Sequence, residues 1–427
     1  MKHIVIIGNG ISGITAARTL RKLSDHRITV ISEETEFFFS RTALMYVFMG
    51  HQRFEDTQPY ENWFWGKNRI ELMKCSIKTI DYDNKTLLTV DNKEIIYDDL
   101  ILATGSKSNR FGWRGQDLDG VQGLYHRQDL ENMARLAHTG VRRAVIIGGG
   151  LIGVEMAEMW RSRGVEVTFL VRETAFWNNV LPNDEARMID AHLAEHHIDL
   201  RLETSLDYIE DNGKGGVSAV VTDKGERIEA QFVGLTVGVS PNIDFLKNTK
   251  LETNRGILVD EFLETNIKNV YAIGDCVELR KPTEGRRAIE AVWYTGRMMG
   301  ETVAHTIAGK PISYRPRLWF NSAKFFDIEY QVYGDVPNNL PNHDTLDTIF
   351  WKSEDNKKAI RLVFERDSGA IRGFNLMGIR YRHEVCEKWI LEKMPVEMVI
   401  KNLDKANFDP EFFKNYAPDF RKTLQKA

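Results

Sequence analysis

Cysteine is scarce in this chain. There are three in 427 residues, Cys75, Cys276 and Cys386, far apart in sequence. No CxxC or CxxxxC pair exists, which excludes a redox dithiol made from sequence neighbours and argues against a zinc cluster. A charge excess is missing too. The 57 Lys and Arg against 61 Asp and Glu leave a net charge of −4 with no basic run, so nucleic acid is not an expected partner. No apolar run reaches the ~18 residues of a membrane span. The first strand begins at residue 3 or 4, which leaves no room for a signal peptide before it. A soluble cytoplasmic protein is expected. The composition, 42% hydrophobic and 28% charged, is that of a globular protein, and the length suits two or three domains.

What is present is a repeated unit. Residues 4–20 read IVIIGNGISGITAARTL. A buried apolar strand runs into Gly8, Gly10 and Gly13 at GxGxxG spacing, and a helix follows. In such a turn the first glycine permits the tight bend, the second lets a pyrophosphate approach the backbone, and the third lets helix and strand pack closely. The helix N-terminus offers unpaired N–H groups and a positive dipole end to phosphate. The next strand, Arg27–Ser32, is followed by Glu33, placed to hold a ribose diol. Residues 144–157, AVIIGGGLIGVEMA, repeat the pattern with Gly148, Gly150 and Gly153, and a strand Val165–Val171 follows. Two nucleotide-binding units in one chain suggest two nucleotides with electrons passing between them.

Between and beyond these units the residues carry further signals. Arg41 opens an apolar helix, where an arginine suits a phosphate or a carboxylate, a surface ion pair being the other reading. Trp63, Phe64 and Trp65 form either core or a substrate lid. Residues 70–100 alternate as strands, with a hairpin turn at Asp83-Asn84. The strand Asp99–Leu102 ends in Ala-Thr104-Gly105, a turn suited to passing close under a cofactor. Residues 106–123 form a crossover linker and 128–139 a helix. On the expected helix 184–197, His192 and His196 stand four apart; that spacing can bind metal, but no third ligand is evident, so surface histidines and no metal site are expected. A hairpin is expected over 217–233. Gly238 lets backbone approach the second nucleotide or is a plain turn glycine. Residues 257–275 end on a second Gly-Asp turn, and a helix over 288–308 follows. From residue 314 the pattern becomes strands at 317–333, 345–352, 358–366 and 370–377, then helices near 380–394 and 408–424. Cys276 is expected to pack rather than to react.

These residues resemble the pyridine nucleotide-disulfide oxidoreductase superfamily, the flavoproteins with two dinucleotide folds. The nearest part is the ferredoxin- and rubredoxin-reductase branch, which lacks a redox disulfide. Four motifs occur in the family's order: GNGISG, the ATG turn at 103–105, GGGLIG and YAIGD at 271–275. The resemblance implies an α/β fold of two Rossmann-like domains and a C-terminal α+β interface domain. It places FAD on residues 1–115 and 240–313, NAD(P)H on 116–239, and a dimer interface on 314–427. Gly8, Gly10, Ser12 and Gly13 match the FAD pyrophosphate loop, and Glu33 matches the adenosine-ribose acid. Arg41 matches a flavin-contacting basic residue, Thr104 and Gly105 the ATG turn, and Asp275 the ribityl-binding aspartate. Trp293 falls near the isoalloxazine, and Ile77 and Arg127 match further FAD contacts. Gly148, Gly150 and Gly153 match the NAD(P)H loop, and Glu155 a glutamate near the nicotinamide. Two departures stand out. Ser40 takes the place closest to the family's flavin-proximal cysteine, and Tyr46 takes that of a lysine which pairs with the glutamate matching Glu155.

If the two units are aligned on Thr29 and Thr168, Glu33 falls against Arg172, which can accommodate a 2′-phosphate; Glu173 beside it argues for a ribose diol, and a surface role for Arg172 is the alternative. The expected activity is that of an FAD-dependent NAD(P)H oxidoreductase. Its acceptor is expected to be a small iron–sulfur protein, rubredoxin or ferredoxin, or a quinone, and a homodimer is expected. The competing reading is an NADH-sensing, redox-linked flavoprotein dimer with slow turnover.

Overall fold

A computed structural model describes residues 1–340 and 342–424. The chain forms two compact units. The first gathers Met1–Asn109, Leu124–Arg135 and Val239–Pro316 around a five-stranded parallel sheet. Its strand order is Val270–Ala272, Asp99–Leu102, His3–Ile7, Arg27–Ser32, Ile70–Lys74. The central strand is apolar on both faces, Ile4 to Ile7 all being buried. Strands covered on both sides lose the alternating pattern and read as continuous hydrophobic runs. The helix Ile11–Leu23 packs against the helix Trp293–Ile307. Gly296 and Gly300 make that approach possible: a Cβ on Gly300 would stand 2.5 Å from the Ser12 carbonyl oxygen. A small antiparallel sheet, Ile77–Asp81, Thr86–Thr89 and Glu94–Ile96, carries the expected hairpin.

The second unit gathers Arg110–Gly123, Leu136–Gly238 and the chain from Arg317 onward. Its parallel sheet has the order Ile198–Arg201, Glu166–Leu170, Arg143–Ile147, Phe232–Leu235, Val121–Gln122. The C-terminal segment contributes an antiparallel sheet of five strands, Phe320–Phe325, Ile328–Gly334, Ile371–Met377, Ala359–Glu365 and Leu346–Lys352 in spatial order, with short helices after it. The α/β reading with two Rossmann-like sheets therefore holds. No helix among the described residues is long and apolar enough to cross a membrane.

Three expected elements differ. The hairpin ends at Glu229, because Phe232–Leu235 leaves it to pair in parallel with Arg143–Ile147. The helix expected from 288 begins at Trp293, since Arg286 and Glu290 form a buried ion pair at 2.5 Å in the non-helical run before it. The last helix is only Ala417–Leu424. Pro418 suits a first turn, but its ring would clash with the carbonyl four residues back in a helix continuing from 408.

Candidate functional site

The two glycine loops assign different tasks to their glycines. Gly8 has φ +115°, and a Cβ on it would stand 2.0 Å from the Ala103 carbonyl oxygen. A Cβ on Gly13 would stand 2.0 Å from the Gly8 carbonyl oxygen. Both are demanded by the fold. Gly10 has nothing within 4 Å of the added Cβ. The second loop repeats this: Gly148 (φ +103°) is confined by Thr236 and Gly153 by Gly148, whereas Gly150 faces open space. The two central glycines are thus not required by the chain's own packing, and each leaves room beside its helix start for a bound group. Gly10 and Gly150 are also the N-caps of the following helices, and neither helix has a side-chain cap. The first-turn N–H groups remain available for phosphate oxygens. These features fit a dinucleotide on each loop. Asn9 braces the first loop, its buried amide donating to the Thr35 carbonyl at 2.8 Å.

Around the first loop the unit gathers several expected residues. Gly105 has φ +69°, and a Cβ there would meet the Tyr125 hydroxyl at 2.8 Å. Tyr125 accepts from the Ser106 amide at 2.9 Å and donates to Asp275 at 3.3 Å, and burial pushes the Asp275 carboxyl up. Thr104 donates to the Asn242 carbonyl at 2.8 Å. Arg41 meets a carboxylate of the chain itself, with bonds of 3.0 and 2.7 Å to Glu34, and it also donates to the Tyr125 carbonyl. Burial opposes the charge on Glu34, but His126, Arg41 and the Arg127 amide overcome it and hold the carboxyl down to about 2. Arg127 itself pairs with Glu131 at 2.7 Å. Ser12 is buried beside Gly274 and Gly296. Glu33 is exposed and accepts from Ser76 at 3.0 Å. Ile77 opens its strand and packs on the core, and Trp293 opens its helix, 46% exposed. Of the aromatic trio, Trp65 is core while Trp63 is 62% exposed. Tyr125, Glu34 and Asn9 escaped sequence reading. Glu34 stands beside the expected acid, but nothing local distinguishes Tyr125.

Cys276 packs. It is fully buried, its thiol donates to the Ile273 carbonyl at 3.3 Å, and burial pushes its pKa up, away from the reactive thiolate.

In the second unit, strand register places Arg172 at the same offset as Glu33 in the first. Ile7 pairs with Ile31 and Ile147 with Leu170, so Glu33 and Arg172 each stand two residues beyond the paired position. Arg172 is largely exposed and bonds Glu173 at 2.8 Å. Gly238 has φ +88°, a turn conformation. Glu155 lies in the first turns of the helix Leu151–Ser162. The loss of water around its half-buried carboxyl, with Glu158 nearby, raises its pKa to about 7, and Lys324 only partly offsets this. A raised folded-state pKa means the native state binds the extra proton. Stability therefore falls as pH rises from the unfolded value toward about 7 and is flat above it. Glu155→Gln is expected to remove that fall. Nucleotide-free variant and parent should match near pH ~5 and differ by roughly 1–3 kcal/mol, in favour of the variant, near pH ~8 in denaturant unfolding. An unchanged gap across the range would refute the shift.

A family model described as pyridine nucleotide-disulphide oxidoreductase matches residues 2–304. The chain belongs to that family. Among relatives of this oxidoreductase, an NADH oxidase of Methanocaldococcus jannaschii is 30% identical over 335 residues, 76% of this chain and 74% of that protein. A rubredoxin-NAD(+) reductase of Ectopseudomonas oleovorans is 29% identical over 321 residues, 74% and 83% of the two chains. An NAD-dependent persulfide reductase of A. fulgidus superposes with a TM-score of 0.86 over 99% of this chain and 83% of its own, at 23% identity, a likeness of fold.

Proposed function

We propose that this oxidoreductase binds FAD on residues 1–115 and 240–313 and NAD(P)H on 116–239, with 314–427 as interface domain, and passes electrons to a small iron–sulfur protein or a quinone. The observation that carries the reading is the pair of open central glycines, Gly10 and Gly150, on uncapped helix starts. When bound, FAD supplies the acceptance of a hydride and its release as electrons. The chain's own part is to bind and orient. Gly10 and the first-turn N–H groups hold the pyrophosphate, and Asp275 and Tyr125 offer polar atoms beside the Thr104-Gly105 turn. Glu155, half-protonated near neutrality, orients the nicotinamide by donating or accepting a hydrogen bond. Ser40 in place of a cysteine and the buried thiol of Cys276 support transfer without a thiol relay. One relative is named as a rubredoxin reductase, which supports an iron–sulfur acceptor.

Anaerobic stopped-flow mixing of the yellow protein with NADH and NADPH in turn tests this. Rapid bleaching by one nucleotide, then rapid reoxidation by rubredoxin, ferredoxin or a quinone, is expected. Slow reduction to a persistent long-wavelength band, unaffected by any acceptor, would overturn it. For nucleotide choice, the position of Arg172 supports NADPH. Arg172→Ala should raise KM for NADPH roughly three- to tenfold, the ~1 kcal/mol of an exposed charge contact, with NADH unaffected. Equal changes for both would dismiss Arg172 as a phosphate reader.

A further inference from the structure

The fold brings a carboxylate, which the sequence did not, beside His192 and His196. The two histidines lie one turn apart at the end of the helix Asn183–Glu195, with His196 as its C-cap, and their ring centroids are 4.6 Å apart. Carbonyls at a helix C-terminus favour a cation. Against them stands Asp327, in the tight turn between the strands Phe320–Phe325 and Ile328–Gly334. Phe326 holds that turn with φ +54° and stacks on the His196 ring at 4.3 Å. Asp327 Oδ1 lies 2.6 Å from His192 Nε2 and 2.9 Å from His196 Nε2, and one donor atom from each residue falls within 4.8 Å of the others.

We propose that His192, His196 and Asp327 bind a divalent transition-metal ion, zinc being the ion their ligand set fits. Two imidazoles and a carboxylate are a zinc donor set that leaves a position open to water. Tetrahedral ligands at ~2.1 Å from the metal stand about 3.4 Å apart, so the three atoms need to move by less than about an ångström. The second observation is His192 itself. It is 2% exposed, and neither ring nitrogen makes a hydrogen bond. An imidazole always carries at least one N–H, and leaving it unmet in the interior is costly. The Asp327 contact at 2.6 Å is close but not aligned as a hydrogen bond, whereas a metal between the two would satisfy both. His192 Nδ1 faces Glu195 Oε2 at 3.7 Å, where a carboxylate supports a ligating histidine from behind. The Lys357 ammonium is the opposing charge, and it is engaged by Glu195 at 3.1 Å. His196 and Asp327, 34% and 62% exposed, leave an entry path. Bound metal would tie the helix end to a hairpin 131 residues further along the chain.

Tag-free, flavin-loaded protein is incubated with excess zinc, dialysed against metal-free buffer, and assayed for zinc by mass spectrometry and for thermal unfolding. About one zinc per chain and a raised Tm are expected, since a ligand bound only by the native state stabilises it. His196→Ala and Asp327→Ala, both at accessible positions, should each lower retained zinc at least about tenfold and abolish the Tm rise at unchanged flavin content. His197→Ala, the adjacent histidine outside the group, should retain zinc. The proposal fails if the parent keeps no zinc, if the two variants keep as much as the parent, or if His197→Ala loses it equally.

Discussion

Gly10→Glu is expected to fold and to be purified colourless. Nothing lies within 4 Å of a Cβ at Gly10, and its φ of −67° suits any residue, so the substitution meets no obstacle in the chain itself. A carboxylate at a helix start is favourable for the helix dipole. The damage falls on the ligand. The new side chain would occupy the pyrophosphate's space and set like charges within ~4 Å. At a near-surface effective dielectric this costs about 4 kcal/mol, on the order of a thousandfold in affinity. Gly8→Ala makes the contrast. Its Cβ would lie 2.0 Å from the Ala103 carbonyl oxygen, so this variant should fail to accumulate as folded protein. Gly150→Glu should remain yellow yet resist reduction by either nucleotide. Visible absorbance and thermal unfolding measured side by side separate these outcomes. A yellow Gly10→Glu would refute FAD on the first loop.

Arg361→Ala is expected to destabilise the second unit by about 3–5 kcal/mol, the cost of leaving a buried charge without its partner. Arg361 is 1% exposed on the strand Ala359–Glu365 and bonds Glu185 at 2.6 and 2.8 Å and Asp184 at 2.7 Å. Its guanidinium also lies over the Phe350 ring at 4.4 Å. Glu185 is 0% exposed in the first turn of the helix Asn183–Glu195, with Asn375 donating to it at 3.2 Å. The substitution leaves the Glu185 carboxyl enclosed without its cation. Replacing both partners, Arg361→Met with Glu185→Leu, removes the charges together and should recover most of the loss, because a buried ion pair contributes little over apolar side chains of similar volume. Denaturant unfolding of the two single variants and the double variant forms the cycle. A loss below about 1 kcal/mol for Arg361→Ala would show that the pair is not sealed from water.

Much of the fold was legible because its signals are local. The strands His3–Ile7 and Arg143–Ile147 are apolar runs, and the first and third glycines after each answer steric demands arising within a few residues and one neighbouring strand. The misplaced boundaries were those where a distant strand, a local ion pair or a proline overrode periodicity. Phe232–Leu235 joined a parallel sheet rather than its hairpin, and the Arg286–Glu290 pair delayed the helix to Trp293. Cys276, expected to pack rather than to react, is placed in the core by its burial and its carbonyl partner.

By itself the sequence determined that this chain holds two dinucleotide-binding folds, and where the glycines of each strand–turn–helix unit fall. Spacing along one strand–turn–helix unit is enough for that. Only the tertiary structure decided that Gly8 and Gly13 serve the chain while Gly10 stands open, and that Arg41 is held by Glu34. It alone set Arg361 against Glu185 and brought Asp327 to His192 and His196. Those pairings join residues that no periodicity links. They follow from how strands order within sheets and how helices lie on them, which side-chain chemistry exploits but does not announce along the chain.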